Sequence, residues 1–290
     1  MLYAARGQGS TAVPVPATTL SKLYWAVAVP KMLYGLEITP INFADMTELE
    51  QAHRQNAKII QGLPQNIPDP APLATLGWMT VKAYISLQQI MFIWRTLSLP
   101  NGNVYKSIME STLKILMTCD LKSEGKCPSP IAYMYRTAEE CGVAECLREC
   151  VLSGNYDNAG YSKQTIKKII WKHETIKWKI SCFMYGKLET YLAVIPEIGI
   201  HPWWCLTRIK PYLSRQVAAV MAILQGGQPR GMQCNLGNNR CNLCGTGERD
   251  SPQHVLFECI EIEEARQKSW PHVVSCMPCG MANDISAMGS

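Results

Sequence analysis

The sequence predicts a mainly α-helical chain: a helical bundle closed by a small C-terminal module built around a metal. Three observations predict it. Apolar residues recur at three- and four-residue spacing over long stretches. Capping residues open those stretches, and glycine or proline closes them. Near the end, Cys241-Asn-Leu-Cys244-Gly245 is followed by His254-Val-Leu-Phe-Glu-Cys259, which places four soft ligands within nineteen residues.

Taken in order, residues 1–19 are rich in Gly, Ala, Pro and Thr without an apolar period, and are expected to form a loose lead-in. A first helical region spans 20–125. Its opening segment, LSKLYWAVAVPKMLYGLEITPI, is apolar but interrupted by Pro30, so a helix, a break and a second short helix or strand are expected before Pro40. Asn42 is placed to cap a helix with Asp45 and Glu48 in its first turn and Met46, Leu49, His53, Asn56 and Ile60 along one stripe, stopped by Gly62 and Pro64. Thr80 is placed to cap a helix running to about Leu99. Ala83, Leu87, Ile90, Trp94 and Leu97 occupy one face, and Val81, Ile85 and Phe92 make the other side apolar too, so this helix should be buried all round. An amphipathic helix fits Val104 to Met117, and a charged, proline-containing linker around Lys122–Pro130 marks a boundary.

A second, basic helical region covers 126–230. One helix is expected from about Ile131 to Leu152, carrying Cys141, Cys146 and Cys150; the last two lie one turn apart and are a candidate pair of metal ligands, or small apolar fillers. The stretch from Ser162 to Tyr185, SKQTIKKIIWKHETIKWKISCFMY, places Ile169, His173, Ile176, Ile180 and Phe183 on one helical face. Lys168, Lys172 and Lys179 share another, with Lys163, Lys167 and Lys177 beside it. Only Glu174 interrupts the positive charge. Six lysines interleaved with Trp171 and Trp178 suit a phosphate backbone and unpaired bases; the alternative is a solvated helix whose tryptophans are simply core, although a merely solvated face normally mixes its signs. His173, on the apolar side, is expected as a core histidine. His201-Pro-Trp-Trp is expected as a turn with buried aromatics. Arg208, Lys210 and Arg215 extend the basic run into a helix ending near Leu224, and Gly226, Gly227, Pro229 and Gly231 form a hinge.

The last region, 231–290, holds the cysteine/histidine unit, a closing helix from Glu258 to Trp270 and a frayed tail. A CxxC turn lets two thiolates reach one ion, and Gly245 supplies the positive φ that such a turn commonly needs. Four protein ligands leave no open position, so Cys241, Cys244, His254 and Cys259 are expected to hold a structural Zn rather than a catalytic one. Cys276 and Cys279, with His272 and Cys234, are a weaker candidate for another site.

Composition narrows the function classes. An apolar share of 47% over 290 residues is that of a globular protein, and residues 160–230 more than account for the net charge of +5. Thirteen cysteines would suit a disulfide framework in a short secreted chain, but the number is odd, the chain is long, and neither a leader at Met1–Leu20 nor an N-x-Ser/Thr acceptor is present. Thiols free or on metal, in the cytoplasm or nucleus, are the expectation. The uncharged run Ala83–Trp94 is too short to cross a bilayer, so no membrane partner is expected.

In LYWAVAVPKMLYGLEITPI, AHRQNAKIIQGLPQN, LATLGW and the terminal CxxC, His, Cys unit with HVLFEC, taken in that order from about Ala17 to Trp270, the chain resembles the C-terminal part of a non-LTR (LINE-type) retrotransposon reverse transcriptase. The resemblance implies a helical thumb over 20–125, a zinc-binding end, and element RNA and target DNA as partners. The catalytic part is where the chain departs from the family. Polymerisation there needs palm aspartates holding two metal ions, and no Asp-Asp pair occurs in this sequence. A noncatalytic fragment that binds an RNA or DNA backbone, with no small-molecule substrate, is therefore expected. The alternative is a zinc-stapled helical module that binds another protein. A cysteine-dependent enzyme is disfavoured, because no recognisable base accompanies any cysteine.

Overall fold

The computed structural model describes residues 15–118, 129–156, 163–227, 241, 244–248, 254 and 258–275. The described residues form helices and turns, with no strand among them. A lone antiparallel bridge joins Leu76 to Ile200. Among the described residues no helix is long and apolar enough to cross a membrane.

The chain enters through α1 (Ala17–Leu23), a π-helical turn (Tyr24–Ala28) and α2 (Val29–Leu33). The expected break at Pro30 is absent. Immediately ahead of the proline the hydrogen bonding widens, Val29 N–H reaching back to the Tyr24 carbonyl, and such a π-turn lets a helix run through a residue that supplies no N–H of its own. Helix α3 (Phe43–Gln61) begins where Asn42 predicts, its side chain accepting from Asp45 N–H at 2.8 Å, and ends at Gly62 in the left-handed region (φ 72°). The short α4 (Ala71–Ala74) leads to α5 (Val81–Leu97), capped by Thr80, whose hydroxyl accepts from Ala83 N–H.

Helix α5 is the central post of the bundle. Val81, Ala83, Ile85, Leu87, Ile90, Ile93 and Leu97 are all buried, so its apolar residues surround it as the sequence requires. It packs against α3, α6 (Val104–Thr118), α7 (Pro130–Glu140) and α9 (Lys163–Phe183). Truncating a fully buried Ile93 or Leu97 to Ala would cost about 2–5 kcal/mol.

The single helix expected over 131–152 is two. Helix α7 stops at Cys141, and Gly142 (φ 71°) turns the chain into α8 (Ala144–Ser153). Gly142 N–H bonds the Glu139 carbonyl and Val143 N–H the Ala138 carbonyl, a glycine stop that the continuous apolar pattern masks. After α9 come α10 (Glu189–Val194), α11 (Pro202–Ile209) and α12 (Ser214–Leu224). His201-Pro-Trp-Trp opens α11, with Pro202 in its first turn, and Trp204 is buried as expected. Of the four residues expected as a hinge, Gly226 and Gly227 form a packed cap, and Pro229 and Gly231 lie outside the described residues. Gly227 N–H bonds the Ala222 carbonyl at 2.8 Å, and a Cβ there would lie 2.6 Å from Ile67 Cγ1.

Three apolar clusters fill the interior, and each draws on both helical regions: 17–85 with 178–224, 93–116 with 132–151, and 79–90 with 138–170. Described residues before and after the expected boundary near 125 therefore share their cores, and residues 119–128 lie outside the described residues.

Candidate metal centre

Local backbone geometry brings the cysteine/histidine unit together. Cys241 N–H donates to the Glu248 carbonyl at 2.7 Å, which closes the loop that carries both Cys241 and Cys244. Gly245 and Gly247 take φ of 63° and 81°, so the turn after the second cysteine needs glycine as expected. On the other side Cys259 N–H donates to the His254 carbonyl at 2.6 Å, folding the histidine back toward the last cysteine.

The four ligand atoms of Cys241, Cys244, His254 and Cys259 all lie within 4.8 Å of one another. Cys241 Sγ and Cys259 Sγ are 3.9 Å apart, and Cys244 Sγ lies 3.3 Å from His254 Nε2. A tetrahedral ion with Zn–S of about 2.3 Å and Zn–N of about 2.0 Å would set these edges at about 3.8 and 3.5 Å. Donor set and spacing both fit such an ion. Cys241, His254 and Cys259 are buried and Cys244 is half-buried, so the set is closed on three sides by protein.

Groups around the ligands prepare them. The Thr246 hydroxyl, 3.0 Å from Cys244 Sγ, lowers that thiol to about 6, which favours the thiolate a metal requires. Glu258 places a carboxylate oxygen 3.8 Å from His254 Nδ1, while Nε2 is the ring nitrogen that lies 3.3 Å from Cys244 Sγ. A carboxylate there favours the tautomer that leaves Nε2 free to ligate. Arg266 donates to the Cys259 carbonyl at 2.8 Å and also pairs with Glu263, tying α13 (Glu263–Ser275) to the last ligand. The sequence reading singles out neither residue: the one-turn spacing of Glu258 from His254 is a signal that could have found it, and Arg266 has none. The closing helix, expected over Glu258–Trp270, starts later and runs through Pro271 to Ser275; the rest of the expected tail, 276–290, lies outside the described residues.

The other candidate residues distribute as follows. Lys163, Lys167, Lys168, Lys172, Lys177 and Lys179 are all exposed on α9. The helix does not, however, bury the face that the sequence nominated. Its buried row is Ile166, Ile170, Glu174, Trp178 and Cys182, while Ile176, Ile180 and Phe183 face outward and Ile169 and His173 are half-buried. Neighbouring helices chose between two apolar rows on one helix, and the choice is tertiary. Trp178 is withdrawn from any stacking role: it is buried and its indole N–H donates to the Pro70 carbonyl at 2.9 Å. Trp171 is half-buried against the core. Arg208 and Arg215 are exposed on α11 and α12, and Lys210, between them, is half-buried.

Among the described residues the Cys241 group is the cluster with metal-ligand spacing, and neither Cys146 nor Cys150 on α8 joins another. Cys150 is buried, as the apolar-filler reading requires. Cys234, Cys276 and Cys279 lie outside the described residues. The described cysteines are free thiols. Compared with protein-family models, with curated proteins and with solved structures, the chain returns no match.

Proposed function

We propose that this chain binds RNA or DNA through the phosphate backbone along α9, without catalysing a reaction itself, and that its cysteine/histidine unit is a structural zinc module. One observation carries the proposal. Glu174, the single acid on the helix, turns inward and accepts from the Thr80 hydroxyl at 2.6 Å, so the six lysines stand on a surface with no exposed carboxylate from their own helix. Lys177 alone reaches that acid, its Nζ 3.8 Å from Glu174 Oε1, so the other five lysines have no carboxylate on their own helix, unlike the mixed signs of an ordinary solvated face. Arg208 and Arg215 add exposed cations, and the resemblance to the end of a LINE-type reverse transcriptase supports element RNA and target DNA as partners. The absence of an Asp-Asp pair supports a noncatalytic role. With both tryptophans drawn toward the core, binding would rest on phosphate contacts rather than on base stacking.

The test is the double reversal Lys168→Glu, Lys172→Glu, both on exposed positions. Affinity for unrelated oligonucleotides should fall alike, since backbone contacts carry no base information. Each lost contact should flatten the plot of log affinity against log salt by about 0.7 for single strands or 0.9 for duplex. Unchanged affinity and salt slope, in a variant with wild-type circular dichroism, would overturn the proposal.

A further inference from the structure

Helix α9 carries a second apolar row that the fold does not use. Ile169, His173, Ile176, Ile180 and Phe183 are spaced four, three, four and three residues apart, which is the heptad seam of a helix that packs lengthwise on another helix. The bundle instead buries the row of Ile166, Ile170, Glu174, Trp178 and Cys182. The second heptad of the seam is left open: Ile176 is 49% exposed, Ile180 61%, Phe183 84%, and Met184 beside them 80%. Four large apolar side chains in one strip are not explained by a phosphate-binding face, which has no use for them.

The positions flanking this seam say what covers it. In heptad terms Lys172 and Lys179 precede the seam residues His173 and Ile180, and Lys177 follows Ile176, so both edges of the open half are lysine. Residues at those positions set partner choice in helix pairs. A second copy of this chain would bring lysine against lysine, and like charges there oppose pairing. No stretch of the chain outside the described residues combines apolar residues at this spacing with acidic flanks. A membrane surface is a poorer match, because the helix turns its tryptophans, the residues that favour a bilayer interface, toward its own core.

We propose that the C-terminal half of α9 is a docking seam for an amphipathic helix of another protein, apolar along one stripe and flanked by glutamate or aspartate. This goes beyond backbone binding, which uses the lysines alone. The two sites overlap at Lys172, Lys177 and Lys179, so a docked acidic helix and a nucleic acid would compete for α9.

The experiment uses the full chain, zinc-loaded, and three synthetic three-heptad peptides followed by fluorescence anisotropy. One has an Ile/Leu seam with Glu flanks, one the same seam with Lys flanks, and one Glu flanks with a Ser seam. The first should bind saturably and at least tenfold more tightly than either of the others. The variant Ile176→Ser, Phe183→Ser should weaken that binding at least tenfold while keeping wild-type circular dichroism and oligonucleotide affinity, because both side chains are exposed in the fold. Equal binding of the Glu-flanked peptides with Ile/Leu and Ser seams would reduce the effect to bulk charge and overturn the proposal. So would a wild-type dimer in sedimentation velocity that the double variant dissolves, or loss of oligonucleotide binding in that variant without specific peptide binding.

Discussion

At the scale of single residues, the chemistry of this chain is concentrated in the four candidate ligands Cys241, Cys244, His254 and Cys259 and the groups around them. Cys244 is the informative one to change. It is the half-buried member of the set, and its thiol is already brought down by Thr246, so Cys244→Ser removes a ligand with little packing loss. In the reduced, purified protein, zinc content should fall from one equivalent to near zero. Because site formation and local folding are linked, worth about 10–16 kcal/mol in finger peptides at neutral pH, α13 should lose its helical signal with the metal while the helical core keeps its own. Atomic absorption together with limited proteolysis checks both halves, and retained zinc would count against the assigned ligand set. Glu258 and Arg266 complete the site, yet of the two only Glu258 had a spacing that could have marked it.

At the scale of elements, the junction between α5 and α9 deserves the closest test. The N-terminus of α5 meets two buried carboxylates: Glu50 accepts from Lys82 N–H at 2.8 Å, and Glu174 accepts from the Thr80 hydroxyl. A helix N-terminus favours negative charge, which gives both acids a reason to be inside. Burial nevertheless pushes the Glu50 carboxyl above its ordinary value, and the charge of Glu174 pushes it further in the same direction. Glu174→Ala leaves the Thr80 hydroxyl without this acceptor and should cost about 1–3 kcal/mol. Glu174→Gln keeps an acceptor oxygen and removes the repulsion on Glu50, so it should cost less. Urea unfolding of the two variants checks the order, and an equal loss in both would locate the effect in charge rather than in the hydrogen bond.

At the scale of the whole molecule, distant segments are joined through a polar and aromatic knot in the largest core. His53 on α3 lies between the Tyr24 hydroxyl, 2.9 Å from Nδ1, and the Met79 carbonyl, 3.2 Å from Nε2, and stacks on Trp78 at a centroid distance of 4.9 Å. A neutral ring satisfies both partners, accepting from the tyrosine and donating to the carbonyl. Burial lowers its pKa to about 4 from 6.5, and burial lowers His201 to about 4 as well. Between those values the unfolded chain binds protons that the folded chain does not. Stability is therefore complete above about pH 6.5 and declines as pH falls toward 4, His53 alone accounting for about 3 kcal/mol. The raised pKa of Glu50 acts in the opposite sense, so the slope is the diagnostic. Denaturant unfolding across this window should show His53→Gln less stable than wild type at neutral pH but with a shallower pH dependence, by up to about 1.4 kcal/mol per pH unit. Parallel slopes in the two proteins would remove His53 from the account.

Much of this was determined by the sequence alone. The caps at Asn42 and Thr80, the stop at Gly62, the extensive burial of α5 and the clustering of Cys241, Cys244, His254 and Cys259 follow from local rules: short-range hydrogen bonding, glycine's access to positive φ, and the reach of two thiolates from one tight turn. The break between α7 and α8 was also local, but Gly142 sat within a continuous apolar pattern that argued for one helix. What only tertiary structure decided is which of two apolar rows α9 would bury. Both rows have helical spacing, and nothing within the helix prefers one to the other. Thr80 supplied a donor for Glu174 and Pro70 a carbonyl for Trp178, partners 94 and 108 residues away in sequence. Those contacts rotated the helix so that Ile176, Ile180 and Phe183 came to the surface among the lysines, because a buried acid and a buried indole must each find a hydrogen-bonding partner, while an isoleucine left outside loses only its own transfer free energy.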